Sequence, residues 1–246
     1  MPFPSDCAVI VADSLEQSKK SEGSRDKFNA RVAAYEFALM LIKRLFPDKT
    51  LVEFRDLATC GTYEQVMARL AAIPPKITRR ALLAMLPESH DRLSEIFSTH
   101  ADPGEYDLYG TALFGVSEIA RAALAPDLLV KGDLKAFGRL MKISHDGDRV
   151  SGIPFAGKGT TLAEACGAYA CSTPRIDSLC DLMNATEGVL GSELSGAGLG
   201  GCVLILVEKD KTDAVMDRLN REFYDRLGLP HAAFVCRPSN GSCVFY

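Results

Sequence analysis

The residues best placed to do chemistry are Ser195-Gly196-Ala197-Gly198-Leu199-Gly200-Gly201, which put four glycines into six positions. Glycine reaches positive φ without a Cβ penalty, so such a run can turn successive backbone N–H groups toward an anion. The chemistry on offer is phosphate contact by peptide dipoles, which needs small residues and not reactive side chains. Gly196, Gly198 and Gly201 fit the spacing G-x-G-x-x-G, but Cys202-Val203-Leu204-Ile205-Leu206-Val207 then reads as a strand where a dinucleotide-binding turn requires a helix. No Gly-Lys-Ser/Thr closes the segment, so it is not a P-loop either. Taken alone, it fits a phosphate-facing loop or a glycine-rich hairpin that lets backbones pack closely.

Other reactive candidates are weaker. Cys166, Cys171 and Cys180 lack the paired C-x-x-C spacing of a zinc ribbon and the four histidines are scattered, so no structural metal is expected. No basic residue flanks Cys166 or Cys171 to stabilise a thiolate. Cys7, Cys202 and Cys236 sit in apolar, strand-like runs and read as buried reduced thiols. His145 beside Asp146 suggests an acid–base pair, but at a helix end it is better read as a partner of the last carbonyls.

The elements that must carry these residues follow from periodicity. Cys7-Ala8-Val9-Ile10-Val11-Ala12 is an unbroken apolar run, the mark of an inner strand. Helical spacing covers residues 29–46, 109–124 and 133–145, with Leu134, Phe137, Leu140 and Met141 forming an apolar stripe opposite Lys135, Arg139 and Lys142. Short amphipathic stretches separated by turn signals fill the region between the first two helices. Pro174 at a first-turn position, capped by Ser172 or Thr173, opens another helix. Strands are expected at 189–194, 202–207, 232–236 and at Val244-Phe245, with a helix over 212–227. Strands at both ends and helices between predict an α+β fold in one domain spanning 1–246. Its helical middle section runs over about 29–150 and its glycine-loop sheet region over about 172–246, with the N-terminal strand joining the C-terminal sheet.

Composition narrows the function classes. The balance of 28 Lys+Arg against 32 Asp+Glu gives a net charge of -4, which offers no field for nucleic acid or an anionic membrane. There is no secretory leader pattern at Met1-Pro2-Phe3-Pro4 and no apolar stretch near the ~18 residues of a span, so a cytoplasmic protein with a small-molecule ligand is expected.

Glu193-Leu194 followed by 195–201 and Cys202 resembles the third conserved motif of the GHMP kinases, and within them the galactokinase branch. Gly132-Asp133-Leu134-Lys135-Ala136-Phe137-Gly138-Arg139-Leu140-Met141 with Ser144-His145, then Cys171-Ser172-Thr173-Pro174-Arg175-Ile176-Asp177, then Val235-Cys236-Arg237-Pro238-Ser239-Asn240-Gly241 resemble galactokinase stretches in the same order. Phe28-Asn29-Ala30-Arg31 with Tyr35-Glu36 is similar to the family's Tyr-Asn-x-Arg. In the helix at Glu118 the family has an Arg and a His where this chain has Leu113 and Phe114.

The resemblance implies a small antiparallel, ferredoxin-like sheet packed against several helices. It implies ATP with Mg²⁺ as cofactors, transfer of phosphate to a sugar anomeric hydroxyl, and a phosphate-facing role for residues 195–201. Phe28, Asn29 and Arg31 become sugar-site candidates. Phe28 replaces the family's sugar-touching Tyr, which removes a hydrogen-bond partner and alters the sugar expected. Asn29 and Arg31 read equally as a helix cap and a solvated charge. The family's Gly-Arg-x-Asn-x-x-Gly-Glu-His, Gly-Leu-Ser-Ser-Ser and Met-Asp-Gln motifs do not occur in these residues. No catalytic residue is therefore assigned, and ATP binding is expected to be weak or absent in this chain alone. The expected partners are a sugar, a separate N-terminal kinase half, or a second copy joined through the exposed interface. A non-catalytic binding or regulatory module is the alternative.

Overall fold

The computed structural model describes residues 3–16, 22–47, 50–59, 61–154 and 159–236. Strand β1 (Cys7–Asp13) lies inside a four-stranded sheet with β4 (Val189–Leu194), β5 (Cys202–Glu208) and β6 (Ala233–Cys236), in the order β4-β5-β1-β6. Every neighbouring pair is antiparallel, and β1 pairs Cys7 with Glu208 on one side and Val9 with Cys236 on the other. With helices α8 (Pro174–Asn184) and α9 (Thr212–Leu219), the sequence of elements is the split β-α-β-β-α-β pattern of ferredoxin-like folds. A long helical insertion separates β1 from α8.

Alternation sorts the strands onto two faces. Ile10, Ala12, Val203, Ile205 and Val207 are buried against Ile176, Leu179, Cys180 and Met183 of α8 and Val215 and Leu219 of α9. Each fully buried aliphatic side chain of this kind stabilises the fold by roughly 1.5–3 kcal/mol. On the other face Leu204, Leu206 and Val9 meet Leu134, Phe137 and Met141 of α7 (Leu134–Asp148). That is the stripe predicted from sequence. The register slips between Val189, opposite Val207, and Gly191, opposite Leu206, so Leu190 is the extra residue of a bulge and packs with the α7 cluster. Helix α7 rests directly on this bulge. A Cβ at Gly138 would overlap the Leu190 carbonyl, and one at Gly191 would overlap the carbonyl of Gly138.

The insertion has its own core. Helix α1 (Glu22–Leu45) buries Ala34, Phe37, Ala38, Leu41 and Ile42 against α2 (Phe54–Thr59), α3 (Tyr63–Ala71), α4 (Arg79–Met85), α5 (His90–Phe97) and α6 (Leu108–Lys131). A two-stranded ribbon, β2 (Lys76–Ile77) with β3 (Tyr106–Asp107), interrupts the helices and was not expected.

Several boundaries differ from expectation. Helix α1 is already formed at Glu22, seven residues before the apolar periodicity begins, because its first turns are polar. Phe28, Asn29 and Arg31 therefore lie within the helix and Asn29 is not a cap. Helix α6 passes through Pro126 to Lys131 and stops at Gly132, whose φ of +70° supplies the left-handed C-cap. Thr173 is the cap of α8, its hydroxyl accepting from the Ile176 amide. The stretch after α9 widens into a π turn over Asn220–Tyr224, and the Tyr224 hydroxyl donates to the Asp13 carbonyl at 2.7 Å. Residues 237–241 and Val244-Phe245 lie outside the described residues. Among the described residues no helix is long and apolar enough to cross a membrane.

Candidate functional site

Residues 195–201 connect β4 to β5, and five of them sit at positive φ: Gly196 at +85°, Gly198 at +79°, Leu199 at +60°, Gly200 at +128° and Gly201 at +96°. Such a succession is open to glycine and costly to almost any other residue. Three of the loop's amides are committed to protein carbonyls. Ser195 N–H donates to Cys202 at 2.9 Å, Leu199 N–H to Cys171 at 2.6 Å and Gly201 N–H to Glu16 at 3.1 Å. The expectation that the whole run points its N–H groups at a ligand is thus too broad. Gly196 and Ala197 form the exposed tip, and a Cβ on Gly196 or Gly201 would meet nothing within 4 Å. The open side of the loop is its backbone, with room for a ligand to approach.

Two segments hold the loop. The end of β1 bonds to it through Ser14 N–H to the Gly201 carbonyl at 3.0 Å, and Leu15 turns to a φ of +53° there. The Thr173 hydroxyl donates to the Glu16 carboxylate, and Arg175 reaches the carbonyls of Ser14 and Leu15 at 3.3 and 3.4 Å. The second support is the strap 165–173, which crosses the ends of α6 and α7. Ala168 N–H bonds to Gly110, Tyr169 and Ala170 to Gly147, and Ser172 to Asp148. Gly167 has no room for a Cβ against the Phe114 backbone.

The strap's Tyr169 ring stacks between Phe114, at 5.0 Å and 12°, and Tyr35 of α1, at 5.5 Å and 25°. Phe114, one of the two positions that depart from the family pattern in α6, is buried and holds the strap by stacking. Arg31 reaches the same neighbourhood: with Lys27 it opposes the upward shift of the Cys171 thiol, which burial and Asp148 together push to about 11. A thiol in that range is protonated at neutral pH and is no nucleophile.

Of the sequence candidates, the structure brings Arg31 close to the strap beneath the glycine loop and turns Asn29 elsewhere. Residues two apart on a helix do not share a face. Asn29 donates its amide to the Thr99 carbonyl at 2.8 Å and lines a cavity with Arg92 and Glu36, whereas Arg31 lines one with Asp102 and Tyr106. Phe28 is half-buried. His145 does not bond the last carbonyls of its helix. It is buried, with Nε2 3.4 Å from Asp177 Oδ1 at the start of α8.

Sequence reasoning passed over an acidic set below the loop. Burial and the neighbouring Glu118 carboxylate raise Asp148 to about 7, and burial, Glu118 and Asp148 raise Glu193 to about 8. Arg121, itself buried, answers them and bonds Glu118 at 2.8 Å through Nε. The signal in the sequence was Glu193, the single charged residue of β4. Among the described residues no group of His, Cys, Asp or Glu is arranged to hold a metal ion.

Residues 124–225 match the family model described as GHMP kinases C terminal, a segment running from the last turns of α6 to the end of the helical stretch after α9. Over those residues the chain is similar to a GHMP kinase C-terminal domain. The glycine loop and the strap, residues 165–202, fall inside the matched segment, whereas the support from the end of β1 lies outside it. Beyond it, the chain is similar to the crystal structure of Lactococcus lactis galactokinase complexed with galactose, at 19% identity and a TM-score of 0.60. That match covers 96% of this chain and 46% of the galactokinase chain, so the chain spans less than half the length of the structure it resembles. The likeness is one of fold, and it takes in the helical insertion as well as the matched segment.

Proposed function

We propose that this chain is the C-terminal half of an ATP-dependent sugar kinase that phosphorylates an anomeric hydroxyl, and that it is silent until joined to a complementary N-terminal half. The observation that carries this is the geometry of residues 195–201 inside a segment similar to a GHMP kinase C-terminal domain. A loop of left-handed residues, fixed by Cys171 and Glu16, leaves an exposed backbone tip.

In this reading the amides at Gly196 and Ala197 are preorganised dipoles beside the transferred phosphoryl group, where negative charge spreads over the equatorial oxygens. Leu199, Gly201 and Ser195 set the height of the tip, their amides already given to Cys171, Glu16 and Cys202. Phe28 and Arg31 stand on the sugar side, with Phe28 offering an apolar surface in place of a hydroxyl. GHMP kinases in general use ATP with Mg²⁺. The open side of the loop fits a phosphoryl group, but the described residues present no ligand set for Mg²⁺, so the metal and the base that activates the sugar are assigned to the complementary half. ATP affinity of the chain by itself is accordingly weak. We place the protein in the cytoplasm, where ATP and sugars meet.

A coupled ADP-release assay with MgATP and a panel of sugars tests this, run on the chain alone and with an added galactokinase-like N-terminal half. Silence rescued by the added half is the expected result. Activity from the chain alone would place the catalytic carboxylate within these residues. Silence in both, with a monodisperse monomer, would favour a binding module that kept the half-fold.

A further inference from the structure

Below the glycine loop, carboxylates converge from three elements: Glu118 from α6, Asp148 from the last turn of α7 and Glu193 from β4. Glu193 stands opposite Leu204, on the sheet face that α7 covers. Arg121 favours the charged forms of Asp148 and Glu193, but its N–H groups are given to Glu118 and to the carbonyls of Ala163 and Ala165. Asp148 Oδ1 is buried with no hydrogen-bond partner among the described residues, a placement that penalises the ionised form. Asp177, at the start of α8, adds to the repulsion on Asp148, and the Cys171 amide of the strap opposes it. Tyr35 and Tyr169 face Asp148 as phenols kept neutral by burial, and Lys27 and Arg31 act on Cys171 from α1.

These groups grip the loop from both sides. Glu193 lies two residues before Ser195, whose N–H donates to Cys202 across the mouth of the hairpin. The Asp148 carbonyl accepts the Ser172 amide at 2.9 Å and its carboxyl lies against the Cys171 amide, while the Cys171 carbonyl takes the Leu199 amide. Two negative charges here push the strand that enters the loop away from the strap that seats it, in surroundings where water screens them poorly.

We propose that a proton held on Asp148 or Glu193 keeps the glycine loop on its strap, and that its loss frees Leu199 from Cys171. Burial and the neighbouring carboxylates raise both groups above their ordinary range, to about 7 and about 8. The folded chain therefore holds a proton that the unfolded chain would release, so the seat is whole in weak acid and loosens as pH rises through these values. As control of a phosphate-facing loop this rests on the kinase reading; as a statement about how the loop is seated it does not.

The test is amide hydrogen exchange on the isotope-labelled 246-residue chain, followed by NMR without ATP or sugar and corrected for intrinsic base catalysis. From about pH 6 to about pH 9, protection of Leu199 is expected to fall roughly tenfold relative to Ile205 in the central strand β5. Asp148→Asn and Glu193→Gln keep the shape of the protonated groups, and each is expected to hold the ratio at its weak-acid value. A constant ratio in the unaltered chain, or a fall retained in either variant, would overturn the proposal. Neither result bears on the rescue assay, so the two readings fail separately.

Discussion

The carbonyl of Cys171 accepts the amide of Leu199 at 2.6 Å, and Gly198 passes so close to that carbonyl that a Cβ would overlap its oxygen. The loop is therefore seated on the strap and does not float above it. Gly198→Ala should cost about 2–4 kcal/mol, combining a steric clash with a φ of +79°. Gly196→Ala, with similar φ but open space around it, should cost only about 1–2 kcal/mol. Denaturant midpoints of the two variants measure the difference; equal losses would mean that the Cys171 contact does not position the loop.

Gly138→Ala should destabilise by about 3 kcal/mol or more, because the new methyl group meets strand backbone that cannot rotate away. Gly132→Ala offers the contrast. Its surroundings are open and only the positive φ at the C-cap resists, so a loss near 1 kcal/mol is expected. Thermal melts of both would separate close packing from backbone strain.

Asp148 titrates near 7 in the folded chain against 3.8 in the free side chain, through burial and the carboxylates beside it. The folded state then holds more protons than the unfolded state between these values, so stability falls as pH rises through that window and the penalty is complete above it. Asp148→Asn should stabilise the protein by about 1–3 kcal/mol at pH 8 and by little at pH 4. Melting temperature against pH checks this, and an unchanged slope would show that Glu193 carries the titration instead.

Asp177 behaves in the opposite sense. Burial alone would raise it, but bonds from His145, Ser172, Val150 and Ser151 outweigh burial and hold it at about 2, below its ordinary 3.8. Its stabilisation is whole above 3.8 and is lost as pH falls through 2. Asp177→Ala should cost about 2–4 kcal/mol at neutral pH, since it frees two amides and the hydroxyl of Ser151, and it should flatten the acid limb of the stability curve. A variant with the wild-type acid limb would refute this role.

The parts legible in the sequence were those written in local pattern. The unbroken run at β1, the apolar stripe of α7, the Thr173-Pro174 cap and the glycine loop each announce themselves within a dozen residues. The links between distant segments were not legible. Nothing near Glu193 reveals that Glu118 and Asp148 stand beside it, and nothing near Asn29 reveals that Thr99 will take its amide. The start of α1 was hidden because its first turns lack apolar residues, and the passage of α6 through Pro126 because proline reads as a stop. Nothing around Tyr169 reveals that Phe114 and Tyr35 will close on the two faces of its ring.

The placement of β1 orders events during synthesis. The strand is made well before β5 and β6, the two neighbours it pairs with, so it must wait unpaired while the helical insertion, whose contacts are nearer in sequence, folds. Until β5 arrives, Ile10 and Val11 are exposed on a nascent chain with no sheet to enter, a state open to chaperone capture or to pairing with another copy.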